Sequence, residues 1–385
     1  QLDFCLAAYN AGPGRVRRWR AEAPARGLDP DRWFGNVELL ALDAAVAARV
    51  PDVAQALAAP GVPADESGLL GRNRNWGALF SPRFQLGAGL ALRLALALEH
   101  PEIAARAFRA LEVGAEVIEA DGRVPSDVPE EIAMGREPTR GDVASGGAFF
   151  LSDACPALLA LEASATADAV ASPARRDAVR DALLRALPWL VGEAEVLVAA
   201  DATTPNRLLH DAVAFAACAA LDAAPRDAAR AAATRFDGLA TELFDEAEGF
   251  YREAGGPDTN YQAVNVYMAA DRLALPPASP ALEAQLAPAL AGMVARTTSD
   301  GRVDSTGYGR SCAGCEVFLP GDPPKQLGVT GWARALAFGG AARTDDPAFA
   351  ALERFATWVA SATDTSCFVR GADGLLEPLD FAVCE

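Results

Sequence analysis

The chain has 385 residues, 51% of them hydrophobic, and a formal net charge of -18 from 34 basic and 52 acidic residues. That composition excludes a wholly disordered chain and argues against wrapping nucleic acid or lying on anionic lipid, since both need a basic face. An anionic polymer held in a locally basic groove stays open.

Residues 1–58 read as one helical unit. An Ala-rich helix runs into Tyr9-Asn10-Ala11-Gly12-Pro13-Gly14, a basic turn carrying Trp19 follows, and the string GLDPDRWFGNVE leads to a helix through Val50. The segment APGVPADESG (59–68) holds two prolines and two glycines among small polar residues and reads as a linker. Residues 69–385 form the second, larger domain. Leu, Ala and Val recur there at three- and four-residue spacing in 84–99, 103–119, 174–198, 206–221, 227–247, 261–273, 280–296 and 346–360, which predicts helices. Strand-like alternation is scarce, so the predicted class is all-α. Gly/Asp-rich loops fall near 71–77, 121–127, 201–206, 249–258, 301–309 and 371–374. DGRVPS (121–126) and DGRVDS (300–305) are nearly the same string. Many of these loops lie roughly 50 residues apart, the length of a helical hairpin with its turns. That period predicts an (α/α) toroid of about six hairpins, with a HEAT-like array as the alternative.

The longest apolar stretches, such as LGAGLALRLALALE (86–99), are broken by Gly or Arg, so no membrane span is predicted. With no initiator Met and no leader, the chain reads as the interior portion of a longer or processed polypeptide. Cys312 and Cys315 form a CxxC, and Cys367 and Cys384 lie near the C-terminus. These four read as stabilising disulfides of an exported, periplasmic or extracellular protein. Cys5, Cys155 and Cys218 sit in apolar helical runs and read as small core residues. With two His in the chain and no second CxxC, neither a structural zinc site nor another cofactor is expected.

FCLAAYNAGPGRVRRWR (4–20) and GLDPDRWFGNVE (27–38) resemble the C-terminal part of SLT-type soluble lytic transglycosylase domains, lysozyme-like enzymes that cleave peptidoglycan. The resemblance covers residues 1–50 and implies a small helical fragment of lysozyme-like type, with Tyr9 and Asn10 lining a sugar cleft. The family's catalytic Glu precedes this string, in a segment the chain does not contain. Glycan cleavage needs a general acid, so the resemblance implies half a site, completed upstream or kept as a helical cap.

The larger domain is richer in reactive side chains. TTPNRLLHDAVAFAACAAL (203–221) places Asn206, Arg207, His210 and Asp211 in the first turns of a helix, and Asn206 and His210, four apart, share a face. The segment 249–273 carries Tyr251, Arg252, Glu253, Asp258, Asn260, Tyr261, Gln262 and Asn265, and DGRVDSTGYGRSCAGCE (300–316) adds Tyr308, Arg310 and Glu316, with Lys325 beyond. The strings NRLLHDAVAF and GGPDTNYQAV look like (α/α)-toroid polysaccharide lyases, which implies β-elimination on an acidic polysaccharide. That reaction needs the uronate carboxylate neutralised, the C5 proton removed and the leaving oxygen protonated. Asn206, Arg207 or His210 suits the first role, and Tyr261 with His210 forms the acid/base pair. Asp258, Gln262 and Asn265 are candidate substrate contacts, and Arg310 and Lys325 candidate anchors for an anionic chain.

Structural roles are open to the same residues: His210 as a core histidine, Asp258 as an N-cap, Tyr261 and Asn265 in helix packing. In NRNWG (73–77), Arg74 and Trp76 read either as a sugar-stacking rim or, for the Trp, as core. A non-catalytic glycan-binding module and an inverting hydrolase using Asp258 with Asp211, Glu253 or Glu316 are the remaining alternatives.

Overall fold

The computed structural model describes residues 38–361, apart from 78, 134, 222–224, 254–255 and 307–328, together with 368–370 and 376–378. The described chain is all-α, with strands confined to two short antiparallel pairs. The long helices are α1 (Glu38–Arg49), α2 (Pro51–Ala58), α3 (Ala88–Ala97), α4 (Pro101–Glu116), α5 (Arg140–Glu162), α6 (Pro173–Gly192), α7 (Ala194–Asp201), α8 (Pro205–Ala220), α9 (Arg226–Glu242), α10 (Thr259–Leu273), α11 (Pro280–Arg296), α12 (Val329–Arg343) and α13 (Asp346–Ser361).

Local chemistry sets their starts. Pro stands in the first turn of α2, α4, α6, α8 and α11, where its missing N–H costs nothing. Thr139 begins α5 with a capping box: its hydroxyl accepts the Asp142 N–H at 3.1 Å while Asp142 accepts the Thr139 N–H at 3.1 Å. Asp258 caps α10 by accepting the Tyr261 N–H at 3.0 Å. The start of α3 is served from another helix. Asp153 of α5 accepts N–H groups of Gly87, Gly89 and Leu90 at 3.0, 2.7 and 3.2 Å, placing a carboxyl at a helix N-terminus.

The helices pack in succession. α3 lies against α5, α5 against α8, α8 against α10 and α10 against α12, and both α12 and α3 pack on α1. A second set covers them: α4 on α3, α6 on α5, α9 on α8, α11 on α10, α13 on α12, and α2 on α3 and α12. Leu42, Val46 and Leu57 of the first unit share one buried cluster with Leu92, Leu151, Val213, Val266 and Leu336. Residues 59–68, the expected linker, run close against this body. A Cβ on Gly61 would stand 1.9 Å from the Gly87 carbonyl oxygen, and one on Gly68 would stand 2.8 Å from Val113.

Two buried charge networks tie elements together. The Arg93 guanidinium donates to Asp43 of α1 at 3.0 and 2.7 Å and to Asp271 of α10 at 2.8 Å, and Arg334 of α12 meets the other Asp271 oxygen at 2.7 Å. Burial opposes ionisation of Asp271, but the two guanidinium groups outweigh it and hold this carboxyl below its ordinary range. Arg272, fully buried, pairs with Asp237 of α9 at 2.8 Å and donates to the carbonyls of Leu275 and Pro277.

Sequence periodicity does not predict α2, α5 or α12. α5 is buried nearly all round, so it shows no polar face to give a helical period. Its glycines answer to packing: a Cβ on Gly147 would stand 2.7 Å from the Trp189 ring of α6. By length and composition α5 could cross a bilayer, but 78% of its most apolar window is buried inside the molecule. α12 carries Gly339 and Gly340 in the same way, with Leu290 and Val266 at 3.0 Å from a Cβ built on Gly339. The helix expected over 174–198 is broken near Gly192 into α6 and α7. The helix expected over 227–247 stops at Glu242, where β1 (Phe244–Asp245) pairs with β2 (Phe250–Tyr251).

Candidate functional site

α8 carries the centre of the candidate site. Pro205 stands in its first turn, and one turn further His210 lies at 5% exposure, packed toward α5. Its ring stacks on Phe149, centroids 4.0 Å apart and planes 20° apart. His210 Nδ1 is 2.7 Å from the Ser152 Oγ, which is also 2.7 Å from the Phe149 carbonyl oxygen. Each of these short contacts needs a proton, and the hydroxyl has only one. Two oxygens at that distance repel without a proton between them, so the hydroxyl donates to the carbonyl and Nδ1–H donates to the hydroxyl. This hydrogen-bond geometry assigns the Nε2 lone pair as the ring's free, basic position.

The imidazole is neutral. Burial, and then repulsion from Arg334, Arg83 and Arg207, lowers its pKa to about 3. Arg93, Arg175, Arg207, Arg272 and Arg334 each meet a carboxylate. Arg83 meets none among the described residues: it lies 4.9 Å from the Phe149 ring centroid and donates to the Ser145 Oγ at 3.0 Å. Burial and the neighbouring Arg207 lower its pKa. Arg334 lies 3.9 Å from the Tyr267 ring centroid. Burial raises the Tyr267 hydroxyl's pKa despite that cation, so the phenol keeps its proton. Asp211 is wholly buried and neither carboxyl oxygen has a hydrogen-bond partner among the described residues. Burial, reinforced by Asp201, raises its pKa well above the ordinary 3.8.

The remaining sequence candidates divide between open and committed positions. Asn206 shares the His210 face of α8, and its backbone N–H donates to Glu253 Oε1 at 3.4 Å. Asn265 Nδ2 donates to the same oxygen at 3.3 Å, so Glu253 joins the start of α8 to α10. The side-chain oxygens of Asn206 and Asn265 are buried with no partner among the described residues. Arg207, one-third exposed, pairs with Asp201 at 3.0 Å. Asp258 is 1% exposed and caps α10. Gln262 accepts the Tyr251 N–H at 3.0 Å and donates to the carbonyls of Gly249 and Ala289 at 3.3 and 3.4 Å, stitching β2 to α11. Tyr261 is half-buried in the first turn of α10. Trp76 is half-buried edge-on against Phe84 at 5.0 Å, and Arg74 pairs with Asp65 on the surface. Tyr9, Asn10, Arg310 and Lys325, with Tyr308 and Glu316, lie outside the described residues.

Sequence reasoning missed Arg83, Phe149, Ser152, Tyr267 and Arg334. Phe149 and Ser152 lie on α5 and Arg334 on α12, the helices without a legible period, and Arg83 lies in a short 3-10 turn (Pro82–Gln85). Tyr267 was in view, six residues beyond Tyr261, but nothing in the string separates it from packing. Among the described residues no group of three or more His, Cys, Asp or Glu is placed to hold a metal ion. No known protein family, curated protein or solved structure matches the chain.

Proposed function

We propose that the chain is a carbohydrate-active protein whose helices form an (α/α) toroid and cleave an acidic polysaccharide by β-elimination. The alternating succession of helices, with α1 bridging α12 and α3, supports the toroid. The observation that carries the chemistry is a neutral His210, held by Ser152 and Phe149 with Nε2 free, among the charges of Arg83, Arg207 and Arg334. A uronate carboxylate binds these guanidinium groups and offsets the repulsion that keeps the imidazole weakly basic. Substrate binding thereby raises the basicity of Nε2 at the moment it takes the C5 proton. Asn206, on the same helix face, donates to the carboxylate, and Tyr261 protonates the leaving oxygen. Tyr267, which shares Arg334 with His210, is the second phenol of the site.

A panel of uronate polymers tests this, read by the ultraviolet absorbance of the unsaturated product. New reducing ends without that absorbance would indicate a hydrolase. Glycan binding without either product would indicate the non-catalytic module, a reading favoured by the low basicity of His210 in the free protein. The transglycosylase reading rests on residues 1–50 and predicts anhydro-muropeptides from a longer chain carrying the upstream Glu.

A further inference from the structure

Cys155 of α5 and Cys218 of α8 face each other where these two helices pack together. Both are wholly buried free cysteines, and their unbonded sulfurs are 2.9 Å apart. That is inside the contact distance of two non-bonded sulfurs and roughly 0.9 Å beyond a covalent S–S bond. Two separate thiols would have to be pushed apart in a close-packed core, whereas a bond draws them together by less than an ångström. The facing surfaces favour close approach. Ala154 and Leu158 flank one cysteine and Ala214 and Ala217 the other, all buried.

We infer that Cys155 and Cys218 form a disulfide that fastens α5 to α8 beneath Ser152 and His210. This goes beyond the proposed activity and does not depend on it. The two thiols lose two electrons and two protons to the disulfide of an oxidising partner, either a protein dithiol oxidase or glutathione disulfide. One thiolate attacks that disulfide to give a mixed disulfide, and the second displaces the partner as its thiol. Both sulfurs are inaccessible once α5 and α8 meet, so the exchange precedes their closure and the bond forms during folding. The cross-link spans 63 residues, long enough for it to restrict the unfolded chain strongly.

The test uses the full chain secreted through an oxidising compartment. The protein is denatured with one alkylating reagent and no reductant, then reduced, labelled with a second reagent and mapped by peptide mass. The expected result is second-reagent label on Cys155 and Cys218, and a linked peptide pair before reduction. First-reagent label on both would overturn the proposal, as would linkage of either to a different cysteine. A thermal scan gives an independent readout. Reduction should lower the melting temperature by about 5 °C, and Cys155→Ala/Cys218→Ala should abolish that part of the shift. A reductant response undiminished in the double variant would contradict the bond.

Discussion

At the residue scale, His210 and Asp211 are neighbours on α8 whose pKa values burial moves in opposite directions, down for the imidazole and up for the carboxyl. His210 has a folded pKa of about 3 against an ordinary 6.5. Below pH 6.5 the unfolded chain therefore takes up a proton that the folded chain refuses, and stability falls as pH drops toward 3. The loss from this group approaches about 1.4 kcal/mol per pH unit. Urea unfolding between pH 7 and 4 should show that slope in the wild type and a shallower one in His210→Gln. Asp211 behaves in the opposite sense. Its pKa is raised in the folded state, so its contribution is present below the ordinary 3.8 and is lost as pH rises. Asp211→Asn, which keeps the shape and removes the ionisation, should raise the unfolding free energy measured with urea at pH 8 by about 1 kcal/mol or more. It should change little below pH 4, and equal destabilisation at both pH values would contradict a raised Asp211 pKa.

At the element scale, Gly61 shows how a stretch read as a linker is held. A side-chain carbon there would meet the backbone carbonyl of Gly87, immediately before α3, and also the Ala91 Cβ at 2.8 Å. Gly61→Ala should therefore cost about 1–3 kcal/mol through overpacking, measured by thermal or urea unfolding. An unchanged midpoint would mean that 59–68 is free of the body. What the sequence revealed of the elements follows the same physics. The sequence predicts α11 to the residue and α13 to within one, because in each the large apolar side chains recur on one buried face. α5 and α12 escape the sequence reading because their apolar residues keep no helical period, and their glycines read as loop residues until the neighbours that require them are known. The site was half legible for the same reason. His210, Asn206 and Asn265 announced themselves by spacing, whereas the Ser152 and Phe149 that orient His210 sit on α5. Asp258 and Gln262 serve as a buried cap and a buried backbone stitch, roles that use the same polar residues as a binding site, so the sequence alone does not separate the two readings.

At the scale of the whole molecule, the Asp43–Arg93–Asp271–Arg334 network joins α1, α3, α10 and α12, elements separated by most of the described sequence. Removing its central cation leaves two buried carboxylates facing each other. Arg93→Met should cost about 3–5 kcal/mol, a larger loss than from the exposed Arg49–Asp346 pair, which should contribute about 1 kcal/mol or less. Unfolding free energies of Arg93→Met and Arg49→Met distinguish these magnitudes, and equal small effects would show that the network does not hold the succession together. The same frame places Arg334 between structure and chemistry. One side of its guanidinium pairs with Asp271, and its charge reaches His210. The direct measurement is the initial rate of unsaturated-uronate formation on the best uronate polymer, for the wild type and His210→Asn side by side with matched far-ultraviolet circular dichroism. The proposed elimination predicts measurable product from the wild type and a rate at least about 100-fold lower in the variant. Equal rates, or no unsaturated product from the folded wild type on any polymer tried, would contradict it.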